Sequence, residues 1–302
     1  MAEVTARARV RAPAKINLTL HITGKRDDGY HLLDSLVVFA DVGDRLEYTV
    51  GGPLSLSITG PEAGGLEAGP SNLVLRAASL AEADGGRFKL EKNLPVSSGI
   101  GGGSADAAAA VRVLLAMGAS GGAQAAAVDP AARFLPLGAD VPVCLDCRPV
   151  RMQGIGEILT PMPDLPGLHA VLINPRVALA TPVVFRELQR AENAPMPATL
   201  PDFEGRRHLV SWLRDQRNDL QEAALSLVPA IGDVLAALEG AQGCLLARMS
   251  GSGATCFGLF DHAASAKTAA ARISDRHPHW WVTPTQLGDM QALSQPRISR
   301  SG

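Results

Sequence analysis

Residues 94–106, L-P-V-S-S-G-I-G-G-G-S-A-D, place four glycines within five positions where a strand pattern gives way to an alanine-rich helix pattern. Glycine lets a backbone approach an anion closely, and a new helix N-terminus directs unpaired N–H groups and a positive dipole end at it. Ser97, Ser98 and Ser104 add hydroxyl donors. One isolated glycine would mark a tight turn, but this cluster reads as a cradle for phosphate. A P-loop would need a lysine after the last glycine, and none follows. A dinucleotide fingerprint would need a third glycine where Ser104 stands, inside a leading βαβ unit, and the segment comes only after hairpin-like sequence.

Asp140, a lone aspartate two residues before Pro142, reads by itself as the cap of a turn, and Lys15 interrupts an apolar run (Ile16, Leu18, Leu20) with Asn17 on the same strand face at period two. Cys144 and Cys147 have C-x-x-C spacing, but Cys244 and Cys256 supply no matching pair, and Cys144 lies in an apolar run. They read as core residues rather than half of a zinc site. His208, His262, His277 and His279 show no ligand spacing and read as surface, and Trp280-Trp281 reads as a packing anchor.

The glycine segment resembles the ATP-binding motif of the GHMP kinases, and two further motifs of that family stand in the right order. A-P-A-K-I-N-L, residues 12–18, is similar to its N-terminal motif, and M-S-G-S-G-A-T-C-F, residues 249–257, to its third, glycine-rich motif. Within the family, G-K-R-D-D-G-Y-H (24–31), L-G-A-D-V-P (137–142), G-I-G-E (154–157) and T-P-V-V-F (181–185) resemble the branch acting on a cytidine diphosphate-linked polyol.

The resemblance implies transfer of the ATP γ-phosphate to the 2-hydroxyl of 4-diphosphocytidyl-2-C-methyl-D-erythritol, in the non-mevalonate route to isoprenoid precursors. It implies Lys15 and Asp140 as catalytic residues for phosphoryl transfer to an alcohol, the carboxylate taking or orienting the hydroxyl proton and the cation offsetting charge at the attacking oxygen, with Asn17 hydrogen-bonding the acceptor hydroxyl. Pro95, Val96, Ser97, Ser98, Gly99, Ile100, Gly101, Gly102, Gly103, Ser104 and Ala105 would hold ATP, with Asn72 and Lys92 near the adenine. Asn17, Tyr30, His31, Thr181 and Phe185 would hold the acceptor, with Tyr30, His31 and Phe185 at its cytidine end. Mg²⁺ is expected to arrive with ATP and to bridge its phosphates with few protein ligands, Ser104 being a candidate. The family usually has a second serine where this chain has Ala105. Two other readings stay open: another GHMP kinase, of homoserine or mevalonate type, and a non-catalytic nucleotide- or metabolite-binding regulator. A regulator would not need both Lys15 and Asp140.

The elements that must position these residues follow from pattern. Val10–Ile22 reads as a strand, residues 23–30 as a polar loop, and Leu32–Phe39 as a strand. Arg45–Thr59 reads as a hairpin broken at Gly51-Gly52-Pro53. Ser71 is the expected N-cap of a helix with an apolar face of Leu73, Leu75, Ala77, Ala78 and Leu80. Arg87–Lys92 alternates like a half-buried strand, and a helix is expected from about Ser104 to Met117, closed by Gly118. Residues 115–135 are rich in alanine and glycine and carry no motif. The proline-rich 192–201 cannot sustain regular structure. Helical patterns follow over 206–239 and a strand over Cys256–Phe260, with a frayed tail from Ser294. These features predict an α+β fold in two lobes, a domain over 1–160 and another over 161–302, with the active site in the cleft between.

The 302 residues are 46% hydrophobic and 19% charged, which suits packed cores rather than disorder. A net charge of −2 gives no general attraction to nucleic acid or an anionic membrane, so an anionic substrate must be held locally. Neither a secretory leader nor a membrane span is expected, and the reading is a cytoplasmic enzyme, monomer or homodimer.

Overall fold

The long strands near the N-terminus set the frame, because alternating apolar residues there are buried on both faces of one sheet. The computed structural model describes residues 5–119, 130–162 and 165–301; the motif-free stretch 120–129 lies outside them. The strands are β1 (Thr5–Asn17), β2 (His21–Lys25), β3 (His31–Thr49), β4 (Ser55–Thr59), β5 (Arg87–Glu91), β6 (Val150–Gly154), β7 (Ile158–Pro161), β8 (Leu168–Asn174), β9 (Cys244–Met249), β10 (Cys256–Phe260), β11 (Trp281–Gly288) and β12 (Arg297–Ser301). The helices are α1 (Leu73–Leu80), α2 (Gly102–Met117), α3 (Pro130–Phe134), α4 (Asp140–Asp146), α5 (Thr181–Glu187), α6 (Arg206–Arg214), α7 (Gln221–Leu227), α8 (Ala230–Glu239) and α9 (Ala263–Arg276).

The main sheet path runs β12-β1-β3-β11-β8-β10-β9, with β2, β5 and β6 also paired to β3. Pairing is antiparallel except between β4 and β5, and the fold is α+β as expected. The β1–β3 ladder shifts register between Pro13 and Lys15, opposite Gly43. A Cβ on Gly43 would fall 2.2 Å from the Ala12 carbonyl oxygen, so only glycine permits that approach. Strand β12 covers the outer edge of β1 only as far as Arg9, and beyond the bulge the Lys15 N–H donates to Ile100 O at 3.0 Å.

Three apolar clusters cover the sheet. Helix α2 contributes Ala105 and Ala107–Ala110, small enough for it to lie close on β1 and β3. Strand β10 serves two clusters by period-two alternation: Cys256 and Phe260 face α8 and α9, while Phe257 and Leu259 face Leu209 and Leu213 of α6. No helix among the described residues is long and apolar enough to cross a membrane.

Four local expectations need correction. Arg45–Thr59 is not a hairpin: β5 inserts beside β3, and β4 pairs with β5 in parallel, because Phe88 and Leu90 share the apolar face that Leu46 and Tyr48 present. Asn72, not Ser71, caps α1, its side chain accepting from Val74 N at 3.0 Å. Helix α2 begins two residues before Ser104, at Gly102, because Gly101 at φ 65° turns the chain directly into it. The tail is not frayed: Arg297–Ser301 adds to β1 as an edge strand. Residues 192–201 form no helix or strand, yet Met196 is buried and Arg151 donates to the carbonyls of Pro197 and Ala198 at 2.9 and 2.8 Å.

Candidate functional site

The glycine segment ends in a helix start that no side chain caps. Gly101 is the left-handed N-cap of α2, its carbonyl accepting from Ala105 N at 2.8 Å. The N–H groups of a helix's first turn have no acceptor within the helix, and here Gly102, Gly103 and Ser104 line the cleft where an anion would meet them. A second glycine-rich turn supports the loop from behind. Ser250 Oγ donates to Gly99 O at 3.2 Å, Thr255 N donates to Ser98 O at 3.1 Å, and Asn17 N donates to Ser250 Oγ at 3.1 Å. A Cβ on Gly99 would meet the Ser250 carbonyl oxygen at 2.5 Å, so the two turns interlock only as glycines. The three motifs separated in sequence thus meet at one place.

Beside this turn Lys15 Nζ is paired with Asp140 Oδ1 at 2.6 Å, the lysine side chain buried and the aspartate partly open. A Cβ on Gly101 would lie 3.3 Å from Lys15 Cβ and 3.8 Å from Asp140 Oδ2, which puts the pair against the helix start. Asp140 occupies the first turn of α4. Asn17 is buried; its Nδ2 donates to Ser35 Oγ at 2.7 Å, while its Oδ1 has no partner among the described residues. An unpaired buried acceptor beside a Lys–Asp pair is arranged to receive a hydroxyl.

Lys15, Asn17, Asp140 and the glycines at the start of α2 line one cleft of about 1360 Å³. At its other end His31, the first residue of β3, stacks on Phe185 of α5 with ring centroids 4.8 Å apart and planes at 27°. Burial first, and then the Lys25 charge, hold the His31 imidazole below its ordinary titration range. Tyr30 lines the same end and is 60% exposed, which leaves a face open to a ligand. Thr181 is tied to Ser252 by a 2.8 Å hydroxyl contact, linking α5 to the third motif.

Two of the ATP-loop residues do not face the cleft. Ile100 and Ala105 are buried in the core, and only their backbones serve the turn. The Ala105 side chain packs among apolar neighbours, so the absent second serine removes no hydroxyl from the cleft. Asn72 and Lys92 do line it, but both side chains are engaged. Asn72 caps α1 and its Nδ2 donates to Glu67 O at 3.0 Å. Lys92 Nζ is paired with Asp44 and, at 2.7 Å, with Asp106 Oδ2, all three buried. Burial opposes the Lys92 charge, but the two carboxylates outweigh it and raise the lysine. Burial also pushes the Asp106 carboxyl up to about 8, with Lys92 opposing and Asp44 reinforcing the rise. One lysine cannot neutralise two buried carboxylates, so one of them keeps its proton at neutral pH.

Asp44 and Asp106 were not foreseen as part of this end of the site. Asp106 closes the glycine segment in sequence, but nothing local to Asp44 signals that it would reach Lys92. Cys144 and Cys147 are buried free thiols, and burial raises both. Among the described residues no group of three His, Cys, Asp or Glu side chains is placed to hold a metal ion.

Comparison with known proteins agrees with the motif order. The family model for the GHMP kinases N terminal domain matches residues 72–145, and that for GHMP kinases C terminal matches 198–279. A 4-diphosphocytidyl-2-C-methyl-D-erythritol kinase of Roseobacter denitrificans is 56% identical over 96% of this chain and 97% of its own. The one from Paracoccus denitrificans is 58% identical over 92% of this chain and 96% of its own. A crystal structure of 4-(cytidine 5'-diphospho)-2C-methyl-D-erythritol kinase, 32% identical, superimposes with a TM-score of 0.73, covering 93% of this chain and 99% of that one.

Proposed function

The chain belongs to the GHMP kinase family, and from that premise we propose that it transfers the γ-phosphate of ATP to the 2-hydroxyl of 4-diphosphocytidyl-2-C-methyl-D-erythritol, a step toward isoprenoid precursors by the non-mevalonate route. The observation that carries the reading is the Lys15–Asp140 pair set against the open N-terminus of α2, in one cleft with the His31–Phe185 stack. Relatives above 50% identity that are named 4-diphosphocytidyl-2-C-methyl-D-erythritol kinase support the substrate assignment over homoserine or mevalonate.

The triphosphate lies on the α2 N-terminus, where backbone N–H groups and the helix dipole offset its charge. The pyrimidine stacks on Tyr30 beside the His31–Phe185 pair and the His31 imidazole reads its polar edge, which brings the polyol toward Asn17 and Lys15. Asp140 accepts the proton of the 2-hydroxyl as the oxygen bonds to the γ-phosphorus, and the β,γ-bridging P–O bond breaks to release ADP. Lys15 offsets the negative charge on the attacking oxygen, and Asn17 Oδ1 accepts from a neighbouring hydroxyl of the polyol, which leaves the 2-hydroxyl proton for Asp140. Transfer is direct, the acceptor oxygen itself attacking the phosphorus; among the described residues no lining side chain is set as a phosphoryl nucleophile. The donor set fits an ion carried in by the nucleotide rather than one held by protein alone: the Ser104 hydroxyl lines the cleft, and among the described residues no carboxylate cluster accompanies it. Mg²⁺ bound that way would neutralise phosphate charge.

The test is ADP release from Mg-ATP with the cytidine diphosphate-linked substrate, beside homoserine and mevalonate, for wild type and Asp140→Asn. Turnover is expected only with the cytidine substrate, and the variant should fall by about 10³-fold in kcat while still binding ATP. Turnover with a different alcohol would retain the kinase and discard the substrate. ATP binding without any turnover would favour a regulator.

A further inference from the structure

We infer that Lys25 and Arg186 form a cationic clamp for the diphosphate bridge of the acceptor, an inference that rests on reading this cleft as the site of a cytidine diphosphate-linked polyol. Lys25 ends β2 directly opposite His31 in the β2–β3 ladder. Cross-strand partners share a sheet face with Cβ atoms about 5 Å apart, so the lysine rises beside the imidazole. His31 titration feels that charge. Arg186 follows Phe185 on α5. Thr181 and Phe185 form one i, i+4 row of that helix, Pro182 and Arg186 the next, and all four line the cleft.

Charge distribution separates these two cations from the others in the site. Lys15 and Lys92 are committed to aspartates, and the neighbouring Arg26 is paired with Asp28 at 2.7 Å. Among the described residues, neither Lys25 nor Arg186 has a carboxylate within 4.0 Å. The acids lining the cleft are Glu67, Asp106 and Asp140, the last two beside their own lysines and Glu67 near the α1 cap. The His31 end therefore holds two exposed cations and no lining acid. The protein's net charge of −2 cannot attract an anion by itself, so a substrate with about one negative charge on each of two phosphates needs such local groups. Arginine offers a bidentate fork to a phosphate and lysine a mobile point charge. The stack fixes the base, the clamp fixes the diphosphate, and the polyol then extends toward Asp140.

The experiment measures cytidine and CDP as competitive inhibitors against the acceptor at saturating Mg-ATP, for wild type, Lys25→Ala, Arg186→Ala and the double variant. Both side chains are exposed, so folding is expected to be unaffected, and a thermal melt checks it. Wild type should bind CDP about twentyfold tighter than cytidine, each alanine should weaken CDP by about fivefold, and the double variant should lose the preference. Inhibition by cytidine and the KM for ATP should not move. Added salt should weaken CDP in wild type and leave the double variant unchanged. A CDP preference that survives in the double variant overturns the clamp. If neither cytidine nor CDP competes with the acceptor, the cytidine reading itself fails and the clamp with it.

Discussion

At the residue scale, chemistry in the cleft depends on which groups are charged and which are already satisfied. Lys15 and Asp140 face each other, so the hydroxyl that enters meets a carboxylate and an ammonium together. Asn17 has its amide nitrogen fixed by Ser35 and its oxygen free, which makes it an acceptor of known orientation. His31 is held below its ordinary range, about 6.5, and is therefore neutral at pH 7. Protonation begins only as pH falls below that ordinary value, and a protonated ring keeps no acceptor nitrogen for the amino edge of cytosine. The KM for the acceptor is expected to be flat above the ordinary imidazole value and to rise only in acid below it. His31→Phe, which keeps the stack on Phe185 and cannot titrate, should remove the acid rise. A KM profile of that variant that tracks wild type would show that another group controls binding.

At the element scale, the start of α2 is where sequence and neighbours must agree. Gly101 turns the chain, Gly99 admits the third motif, and the buried Asp44–Lys92–Asp106 group lies under the first turn, with Lys92 Nζ 3.5 Å from the Cβ position of Gly102. Asp106 has its carboxyl raised to about 8, against about 3.9 in an unfolded chain. Between those values the folded protein holds a proton that the unfolded chain has released. Stability from this group is thus full below about pH 4 and declines up to about pH 8. Asp106→Asn keeps an oxygen for Lys92 and removes the proton. Relative to wild type, it should gain stability as pH rises from 6 to 8.5, read as a widening difference in urea midpoint. A difference independent of pH would mean that Asp106 is ionised throughout.

At the scale of the whole molecule, buried arginines join segments far apart in sequence. Arg112 of α2 donates to the carbonyls of Arg11, Cys144 and Ser294 at 2.8, 2.6 and 3.1 Å, tying the first strand, α4 and the end of the chain to one helix. Arg248 does the same on the other side of the sheet, donating to Leu18, Leu213 and Gln216. Arg112→Met would remove the guanidinium's donations to all three carbonyls, of which Cys144 O would keep only the Cys147 thiol at 3.2 Å, and is expected to cost about 3–5 kcal/mol. A fall in urea midpoint with unchanged kcat of the folded enzyme would match that account. Loss of kcat without loss of stability would place Arg112 in the chemistry instead.

The sequence by itself determined the family, the ordered motifs and the α+β class, because glycine clusters and hydrophobic periods are local properties of a chain. It also marked Lys15, Asn17 and Asp140 as residue types suited to the reaction. Tertiary structure alone decided that Ser250 would lock onto Gly99, that β4 would pair with β5 and not β3, and that the last residues would form β12. It decided too that Lys92 would be shared by two aspartates and that His31 would stack on Phe185, 154 positions away. Each of these depends on packing between segments distant along the chain, and such packing selects among pairings that local propensity leaves equivalent.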